Sequence, residues 1–409
     1  MSLFLYIDVD AFFASVEQAV NRALVGRPVM VGGLRGERGV VACPSYEARA
    51  RGVRTGTTLH EAARLAPDGV FLKGDFNRYQ YYSDRFYEIL CRYSPVIDRI
   101  SQDEACLDIA GAVRHHGTTE KLARYLQDEI RSRLNLSTSI GVAPGRVAAK
   151  IASENRKPYG LTLLDRDNIG AFFNALPIRK IPGIGRVTER VLYEMGIGTA
   201  GQLARVPEEY LKTVFGINGL KFAAYSRGED GPLLRDYKAV RSVSRETGFA
   251  DDITDRAVLE AHLFYLLERA TAKLRRLSKR AAAVKIKFRY ADFQTIEGGA
   301  RINPPSSSEN DIFPPVKEMF GRLFRRRVGI RLVGIALGNL KNCTDGEIYL
   351  WDNDDEKERR RLRGLDAVRR KSGFFSLMTG RTFSLSDRYE RGDTGYEPVS
   401  YTHLRAHET

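Results

Sequence analysis

The hydrophobic pattern of residues 259–290 restricts the fold of the chain more than any other stretch of its sequence. Six apolar residues recur at intervals of three and four and predict one stripe of a helix: Leu259, Leu263, Leu266, Ala270, Leu274 and Leu277. The period then changes to two, and the alternate positions are apolar: Val284, Ile286, Phe288 and Tyr290. The positions between them are cations: Lys285, Lys287 and Arg289. A strand with this alternation would bury its apolar side chains in a core and present its cations on the other face.

The basic strand lies in the part of the chain that carries most of its excess positive charge. The full chain of 409 residues contains 65 Lys and Arg against 51 Asp and Glu, a net charge of +14. Residues 236–341 alone contain 21 basic and 12 acidic residues. An excess of this size indicates a polyanionic partner, with nucleic acid ranked before an anionic membrane surface. For the strand itself, a solvated sheet face and a surface that follows phosphates are both consistent with the pattern.

Composition and motifs exclude several other classes of protein. At roughly 150 residues per domain the chain divides into two to four domains, and its 43% hydrophobic and 28% charged content is typical of a soluble globular protein. No apolar stretch reaches the ~18 residues of a membrane span, no secretory signal is recognisable, and no Walker-type phosphate loop is present. The four cysteines lack metal or disulfide spacing and are expected to be reduced, buried thiols of a cytoplasmic protein: Cys43, Cys91, Cys106 and Cys343.

A glycine-rich turn in the middle of the chain predicts contact with a DNA backbone. Gly183 and Gly185 precede a stretch with four apolar residues at helical spacing: Val187, Val191, Leu192 and Met195. Such a turn lets backbone N–H groups approach a phosphate at the positive end of a helix, as in a helix-hairpin-helix. The cations Lys180, Arg186 and Arg190 flank the turn. A glycine-rich helix connection without a ligand is the alternative.

Carboxylates interrupt apolar strands at two places, and both are candidates for metal-dependent chemistry. Asp8 and Asp10 end the hydrophobic run that begins at Phe4, and Asp103 and Glu104 stand side by side in a second such stretch. Charged groups beside apolar neighbours cost desolvation free energy unless they are paired or bind a cation. Oxygen ligands without His or Cys favour Mg²⁺, and two such ions would promote an in-line phosphoryl displacement. Acids in turns that bind no metal are the alternative at either place.

Four ordered motifs resemble those of the Y-family translesion DNA polymerases, and in particular of their DNA polymerase IV (DinB-like) branch. The motifs are DVDAFFASVE at residues 8–17, SYEAR at 45–49, SQDEA at 101–105, and GVAP at 141–144 followed by KPYGL at 157–161. The resemblance extends from Phe4 to about Lys341.

The resemblance implies an α+β, multidomain, right-hand polymerase. Its parts would be a palm (1–10 and 76–165), fingers (11–75), a thumb with the helix-hairpin-helix (166–235), a C-terminal little finger (241–341) and a tail (342–409) that is partly disordered or non-native at its end. The implied reaction is template-directed, error-prone transfer of a deoxynucleotide to a primer 3′-hydroxyl, with release of pyrophosphate and no proofreading. The implied partners of the monomer are primer–template DNA and deoxynucleoside triphosphates but no membrane. A sliding clamp is a further candidate partner of the family, but no clamp-binding motif is visible in the sequence.

The resemblance also implies roles for single residues. Asp8 and Asp103 would bridge two Mg²⁺ ions, the carbonyl of Val9 would serve the nucleotide-side ion, and Glu104 would complete the primer-side ion. The residues implied to bind the nucleotide are Phe12, Phe13, Tyr46, Arg49 and Lys157. Phe13 matches the steric gate that excludes ribonucleotides, whereas core packing is the alternative for Phe12. The expected DNA contacts are Gly183, Gly185, Lys285, Lys287 and Arg289.

Two functions of other classes remain as alternatives. A catalytically silent relative that serves as a DNA-binding accessory would usually lack the acids that Asp8, Asp103 and Glu104 preserve here. A two-metal nuclease or other phosphotransferase on an unrelated fold would not need Tyr46, Arg49 and Lys157 in the observed order.

Overall fold

The computed structural model describes residues 3–230, 240–342 and 353–386, and these fall into two units. The first unit contains residues 3–230, and the second contains residues 240–342 and 353–386. Each unit combines helices with its own β-sheets, which confirms the α+β, multidomain class. Within the described residues, no helix is both long enough and apolar enough to cross a membrane.

The first unit alternates strands and helices along the chain. Its strands are β1 (Phe4–Val9), β2 (Val29–Val31), β3 (Cys43–Pro44), β4 (Val70–Leu72), β5 (Ile97–Arg99), β6 (Glu104–Asp108), β7 (Thr138–Ala143) and β8 (Leu161–Leu163). Its helices are α1 (Phe12–Val20), α2 (Tyr46–Ala50), α3 (Leu59–Leu65), α4 (Phe76–Leu90), α5 (Val113–His116), α6 (Thr119–Leu134), α7 (Arg146–Ser153), α8 (Ile169–Ala175), α9 (Arg186–Glu194), α10 (Ala200–Leu203), α11 (Glu208–Phe215) and α12 (Ile217–Ser226).

The main sheet of the first unit has β1 at its centre. Its strand order is β5-β6-β1-β7-β8, with β1 antiparallel to both β6 and β7 and β8 parallel to β7. The register sets Asp8 opposite Glu104 on one side and opposite Ser139 on the other. The two acidic stretches, which are about 95 residues apart in sequence, therefore meet at one end of the sheet.

Both faces of β1 are covered, which explains why its sequence is a continuous apolar run. Leu5, Ile7 and Val9 join a core that also receives side chains from α4 and α6. Tyr6 joins a second core with α7 and the helices α8–α12. A side chain at position 141 would place its Cβ 2.1 Å from the carbonyl oxygen of Ala149, so only glycine lets α7 pack this closely on β7.

A smaller sheet and two short helices follow β1 and α1. The strand order is β3-β2-β4, and this sheet shares a compact core with α2 and α3. The chain leaves β1 through Ala11, which has a left-handed backbone with φ 47°, and enters α1 at Phe12. This sharp turn brings the first residues of α1 next to the acidic end of β1.

The second unit is a four-stranded sheet with helices. Its strands are β9 (Val243–Ile253), β10 (Lys279–Tyr290), β11 (Thr295–Ser306) and β12 (Ile330–Asn342), in the order β11-β10-β12-β9 with every neighbouring pair antiparallel. Its helices are α13 (Arg256–Arg276), α14 (Glu309–Leu323) and α15 (Asn353–Ser372).

The helix and the strand predicted from the hydrophobic periods are both present. All four apolar residues of the alternating stretch are fully buried in β10, and the stripe of α13 is buried from Leu259 to Leu274. Leu277 caps the helix directly after its last residue and is half-buried against the same core. The helix ends there because Ser278 adopts a left-handed backbone with φ 51°.

Residues 353–386 contribute several buried side chains to the second unit. Leu362 of α15 is buried, as are Phe375 and Leu385 in the short 3₁₀ turns that follow. The ring of Phe375 stacks on that of Tyr265 in α13, with centroids 5.1 Å apart. The end of the tail (residues 401–409), which the sequence analysis expects to be non-native, lies outside the described residues.

The expectation of buried thiols holds for only part of the cysteines. Cys43 and Cys106 are free and buried. Cys91 is exposed, so the expectation is wrong for it: it lies just beyond the end of α4, where the chain turns at the surface. Cys343 lies outside the described residues.

Candidate active site

Three carboxylates gather at the ends of β1 and β6. Asp8 is the fifth residue of β1, and Glu104 is the first residue of β6 directly opposite it. Asp103 precedes β6, and its carbonyl accepts a hydrogen bond from the amide of Val9 at 2.9 Å. Backbone pairing between the strands therefore fixes all three acids at one edge of the sheet.

Two lysines and one tyrosine bind these carboxylates. Lys157 donates from Nζ to Oδ1 of Asp8. Glu104 accepts at Oε2 from the hydroxyl of Tyr6 at 2.5 Å and from Nζ of Lys150 at 3.3 Å. The sequence interpretation did not single out Tyr6 or Lys150. The signal for Tyr6 was its position two residues before Asp8, which places both on one face of the strand.

Asp103 has a local partner of its own. Ser101, two residues earlier, donates from its hydroxyl to Oδ1 of Asp103, and the Ser101 oxygen accepts from the Asp103 and Glu104 amides at 3.3 and 3.1 Å. The turn before β6 is thereby closed on itself. Asp103 and Glu104 both stay partly exposed, so the acidic edge is open to a ligand.

Burial and mutual repulsion shift the protonation of the carboxylates. Burial raises the pKa of Asp8 to about 8; the Lys157 ammonium opposes this shift, and the negative charges of Asp103 and Glu104 add to it. Burial, together with the charge of Glu104, also raises the pKa of Asp103. For Glu104, burial is outweighed by the Lys150 charge and by the hydrogen bond from Tyr6, so its pKa is lowered.

The site has a surplus of negative charge that a cation would relieve. Three carboxylates face two ammonium groups, and the charges of Asp103 and Glu104 add to the effect of burial in raising the pKa of Asp8. Among the described residues, no three His, Cys, Asp or Glu side chains already converge as a metal-binding group. Lys157 occupies an oxygen of Asp8, and Lys150 occupies one of Glu104. The donor set fits a hard cation that exchanges with these lysine contacts.

Asp10 does not belong to this cluster. Its carboxylate accepts hydrogen bonds from the hydroxyls of Ser137 and Ser139 at 2.7 and 2.8 Å and from the amide of Tyr159 at 2.8 Å. The first two acids of the chain thus have different partners, although they are only two residues apart.

The first two residues of α1 differ in exposure. Phe12 is buried in the core next to Tyr79, with ring centroids 6.2 Å apart. Phe13 is half-buried and stacks on the same tyrosine, with centroids 4.4 Å apart and planes at 21°. The Tyr79 hydroxyl is itself held by Glu17 at 2.8 Å. The ring of Phe13 is therefore a rigid wall that is open on one side.

Two of the expected triphosphate ligands lie on the short helix α2. Ser45 caps this helix, because its hydroxyl oxygen accepts the amide hydrogen of Ala48. The Arg49 guanidinium lies over the Tyr46 ring at 4.9 Å, and its Nε donates to the carbonyl of Pro44 at 3.1 Å. Both side chains line an open cavity that also includes Arg54. The third expected ligand, Lys157, is bound to Asp8.

The glycine turn adopts the backbone expected of it. Gly183 has φ 92°, a conformation that other residues rarely adopt, and Gly185 caps the N-terminus of α9. Arg186 and Arg190 on α9 are exposed. The helical pattern that begins at Val187 is confirmed by α9, in which Leu192 is buried and Val187 is 64% exposed.

The three cations of β10 are not equivalent. Lys285 is exposed. Lys287 lies 3.2 Å from Oε1 of Glu246 on β9, although β12 runs between the two strands. The residue between them on β12 is Gly334, which pairs with both and has no side chain to block the contact. Arg289 donates from Nε to the Thr295 hydroxyl at 3.1 Å.

Family models match most of the chain. Residues 7–154 match the impB/mucB/samB family, residues 166–197 match the IMS family HHH motif, and residues 240–349 match the impB/mucB/samB family C-terminal domain. The last match ends before α15, so residues 353–386 lie outside all three.

Curated relatives and solved structures give a consistent result. The chain is 36% identical over 386 residues to a DNA polymerase IV of Dehalococcoides mccartyi, covering 94% of this chain and 98% of the relative. It is 33% identical to a DNA polymerase IV of Desulfatibacillum aliphaticivorans, covering 88% and 91%. A Dbh–Dpo4–Dbh chimera of Y-family DNA polymerases matches with a TM-score of 0.73 at 25% identity, covering 83% of this chain and 99% of that one. An insertion ternary complex of Dbh DNA polymerase matches with a TM-score of 0.57 at 25% identity and the same coverage.

Proposed function

Since the chain belongs to the impB/mucB/samB family of Y-family DNA polymerases, we propose that it is an error-prone, DNA-directed DNA polymerase of translesion synthesis. It extends a primer 3′-hydroxyl on a DNA template with deoxynucleoside triphosphates and releases pyrophosphate. Its DNA polymerase IV relatives cover nearly its whole length. The structural observation that carries the proposal is the undercompensated carboxylate cluster at the ends of β1 and β6.

We propose that this cluster holds divalent metal ions, specifically two Mg²⁺. Asp8 and Asp103 would bridge the ions, with the carbonyl of Val9 on the nucleotide side and Glu104 on the primer side. Bound there, the metal would supply Lewis-acid stabilisation of the transferring phosphate and a lower pKa of the attacking hydroxyl. The charge surplus supports this assignment, because a divalent cation would stabilise the charged form of Asp8 against burial and against the neighbouring carboxylates, which together raise its pKa.

The nucleotide triphosphate is proposed to bind between α2 and the segment at Lys157. Tyr46 and Arg49 offer a phenol and a guanidinium on one side, and Lys157 offers an ammonium on the other. In the described structure Lys157 neutralises Asp8. A metal ion at Asp8 would supply positive charge there, and the ammonium of Lys157 would then be available to a phosphate oxygen.

The sugar of the nucleotide is proposed to lie against Phe13. This ring is held from behind by Tyr79 and from the side by Phe76, whose centroid is 5.7 Å away. A ring fixed in this way cannot move aside for a 2′-hydroxyl. Phe12 is buried, which supports a role in the packing beneath the site rather than in direct selection.

We assign the domains as the sequence predicts them. The palm comprises residues 1–10 and 76–165, the fingers 11–75, the thumb 166–235 and the little finger 241–341. The match of residues 166–197 to a helix-hairpin-helix motif supports the thumb and a role of Gly183 and Gly185 in DNA backbone binding. In the little finger, Lys285, Lys287 and Arg289 are proposed to follow DNA phosphates.

A primer-extension assay on the wild-type protein tests the proposal. The reaction contains Mg²⁺, a labelled primer on a longer template, and all four deoxynucleotides or each one alone. Template-dependent extension is expected, with single-nucleotide reactions that stop where the template requires another base. Binding without extension would indicate the silent accessory instead. Shortening of the primer would indicate a nuclease.

A further inference from the structure

The buried carboxylate of Asp10 has a set of hydrogen bonds that the metal and nucleotide assignments leave unexplained. Only 1% of Asp10 is exposed. At Oδ2 it accepts from the Ser137 hydroxyl and the Tyr159 amide, at 2.7 and 2.8 Å. At Oδ1 it accepts from the Ser139 hydroxyl at 2.8 Å and, more weakly, from the Tyr46 hydroxyl at 3.4 Å. Each oxygen has two donors, so the carboxylate has no acceptor capacity left for a metal ion.

These donors come from three separate parts of the first unit. Ser137 and Ser139 lie at the start of β7, Tyr159 lies in the connection between α7 and β8, and Tyr46 opens α2. Asp10 itself follows β1 and is anchored there, because its amide donates to the carbonyl of Ser137 at 2.9 Å. The carboxylate therefore joins both segments that carry the proposed triphosphate ligands to the centre of the sheet.

The contact to Tyr159 fixes an unfavourable backbone conformation. Tyr159 has φ 54°, in the left-handed region that a bulky aromatic residue avoids. Such a conformation persists only when its surroundings determine it. The Asp10 hydrogen bond holds the amide of Tyr159, and Asp128 accepts from its hydroxyl at 2.8 Å. Lys157 stands two residues before this fixed point, so the fixed backbone limits where its ammonium can reach.

We propose that Asp10 is a positioning residue for nucleotide binding, which holds Lys157 and Tyr46 in place for the triphosphate without binding metal itself. This inference rests on the proposed function. A carboxylate suits the task because it accepts four hydrogen bonds at once, whereas an amide at the same place accepts at one oxygen only and requires the hydroxyls at its other end to reverse their hydrogen bonds. Asp10→Asn keeps the size of the side chain but removes its negative charge and replaces one accepting oxygen by an NH2 group, so the Ser139 and Tyr46 hydroxyls would have to reverse their hydrogen bonds.

Steady-state single-nucleotide insertion by Asp10→Asn tests the proposal. We expect the KM for the deoxynucleotide to rise about tenfold or more, while kcat changes by less than about threefold. The dissociation constant for primer–template is expected to stay as in the wild type. Loss of kcat at an unchanged KM would overturn the proposal and would identify Asp10 as part of the metal site. Unchanged kinetics would also overturn it.

A double-mutant cycle separates positioning from a general structural effect. If Asp10 acts through Lys157 and Tyr46, the rise in KM caused by Asp10→Asn is clearly smaller in a Lys157→Ala background, because one of the two ligands that it positions is absent. Independent effects that multiply would contradict the proposal. Glu129→Gln is the matched control: it also removes a carboxylate held by a tyrosine and arginines, namely Tyr93, Arg92 and Arg133, and KM is expected to stay unchanged.

Ser137→Ala keeps the test decisive if Asp10→Asn does not fold. It removes one of the four donors at the half-buried edge of the site, and we expect a smaller rise in KM, of about two- to fivefold, at unchanged kcat. An unchanged KM in this variant would overturn the proposal. A wild-type protein without any extension would instead refute the proposed function, so the two failures are distinguishable.

Discussion

The two units of the molecule both bury charged side chains, but they compensate those charges differently. At the acidic edge of the first unit, three carboxylates face two lysines, and Asp103 and Glu104 remain partly exposed. In the second unit, Glu268 of α13 meets Arg369 of α15 one to one at 2.8 Å, with side chains that are 1% and 4% exposed. The first arrangement is short of positive charge and open, whereas the second is matched in charge and closed.

A raised pKa therefore has a different meaning in each unit. Burial raises the pKa of Asp8 to about 8, and neighbouring carboxylates add to the shift. Burial likewise raises the pKa of Glu268, to about 7, against the opposing charge of Arg369, so the two acids differ in how exposed their surroundings are and not in the cause of the shift. An arriving cation would correct the first shift. The Glu268 side chain is 1% exposed, so its surroundings are closed to a cation from solvent.

The largest expected effect comes from removing one charge at the acidic edge. Asp103→Asn should slow single-nucleotide insertion by about 10³-fold or more, because the loss of a metal ligand removes several kcal/mol of transition-state stabilisation. Each tenfold change in rate corresponds to about 1.4 kcal/mol of activation free energy. DNA affinity and stability should be retained or improved, since a like charge beside Asp8 is removed. Near-normal insertion by this variant would remove Asp103 from the metal site.

A change of shape next to the same edge should alter selectivity rather than rate. Phe13→Val shortens the wall that stacks on Tyr79 while every carboxylate stays in place. We expect ribonucleotide insertion to rise by orders of magnitude relative to deoxynucleotide insertion. Paired single-nucleotide assays measure this ratio, with Phe12→Val as the matched buried control. If only Phe12→Val changes the ratio, the gate has been assigned to the wrong ring.

Breaking the matched pair of the second unit should affect stability instead of chemistry. Arg369→Met leaves Glu268 buried without its cation and should destabilise the second unit by about 3–5 kcal/mol. The double variant Glu268→Leu/Arg369→Met should recover most of this loss. Hydrogen exchange of the α13 amides reports the second unit, and exchange of the β1 amides serves as the control. An equal loss of stability in the single and double variants would show that lost packing, and not the unpaired charge of Glu268, destabilises the second unit.

The pH dependence of the second unit should carry the signature of Glu268. Its pKa is about 7 in the folded state, above its usual value, so the folded state binds the proton more tightly than the unfolded state does. The contribution of Glu268 to the free energy of unfolding of the second unit is therefore greatest at low pH, and it decreases by a few kcal/mol as the pH rises from about 4.5 to about 7. Glu268→Gln should flatten this part of the exchange profile of α13. An identical profile in both proteins would contradict the assignment.

The smallest expected effects lie on the sheet of the second unit, where the cations are exposed to different degrees. If Lys285 contacts a DNA phosphate, Lys285→Ala should lower the slope of log affinity for DNA against log salt concentration by roughly 0.9. Lys287→Ala should have less effect, because Glu246 already neutralises this cation. Fluorescence titrations over a salt series measure both slopes. An unchanged slope for Lys285→Ala would mean that this strand is a solvated face.

The sequence predicted those features that depend on local periodicity or on a recognisable motif. It located β10, α13 and the acids at positions 8, 103 and 104. It did not predict the contacts that depend on strand order. The approach of Lys287 to Glu246 requires β12 between their strands and a glycine at position 334, and neither sequence neighbourhood contains this information.

The same limit explains what was missed at the acidic edge. Lys150 reaches Glu104 because α7 packs closely on β7, and Asp10 meets Tyr159 because β1 and the segment before β8 are brought together by the sheet. Asp8 and Asp10 look alike in the sequence, as paired acids at the end of one strand. Only the long-range hydrogen bonds distinguish the acid that needs a cation from the one that is fully satisfied.

The most direct test counts the metal ions that the acidic edge holds. Electron paramagnetic resonance can measure Mn²⁺, which prefers the same oxygen ligands as Mg²⁺, in a complex of the protein with a chain-terminated primer, its template and the matching deoxynucleotide. We predict about two bound ions in the wild type and a loss of tight binding in Asp103→Asn, with Glu268→Gln unchanged. Full occupancy in Asp103→Asn at wild-type affinity would contradict the claim that the ends of β1 and β6 form the metal site.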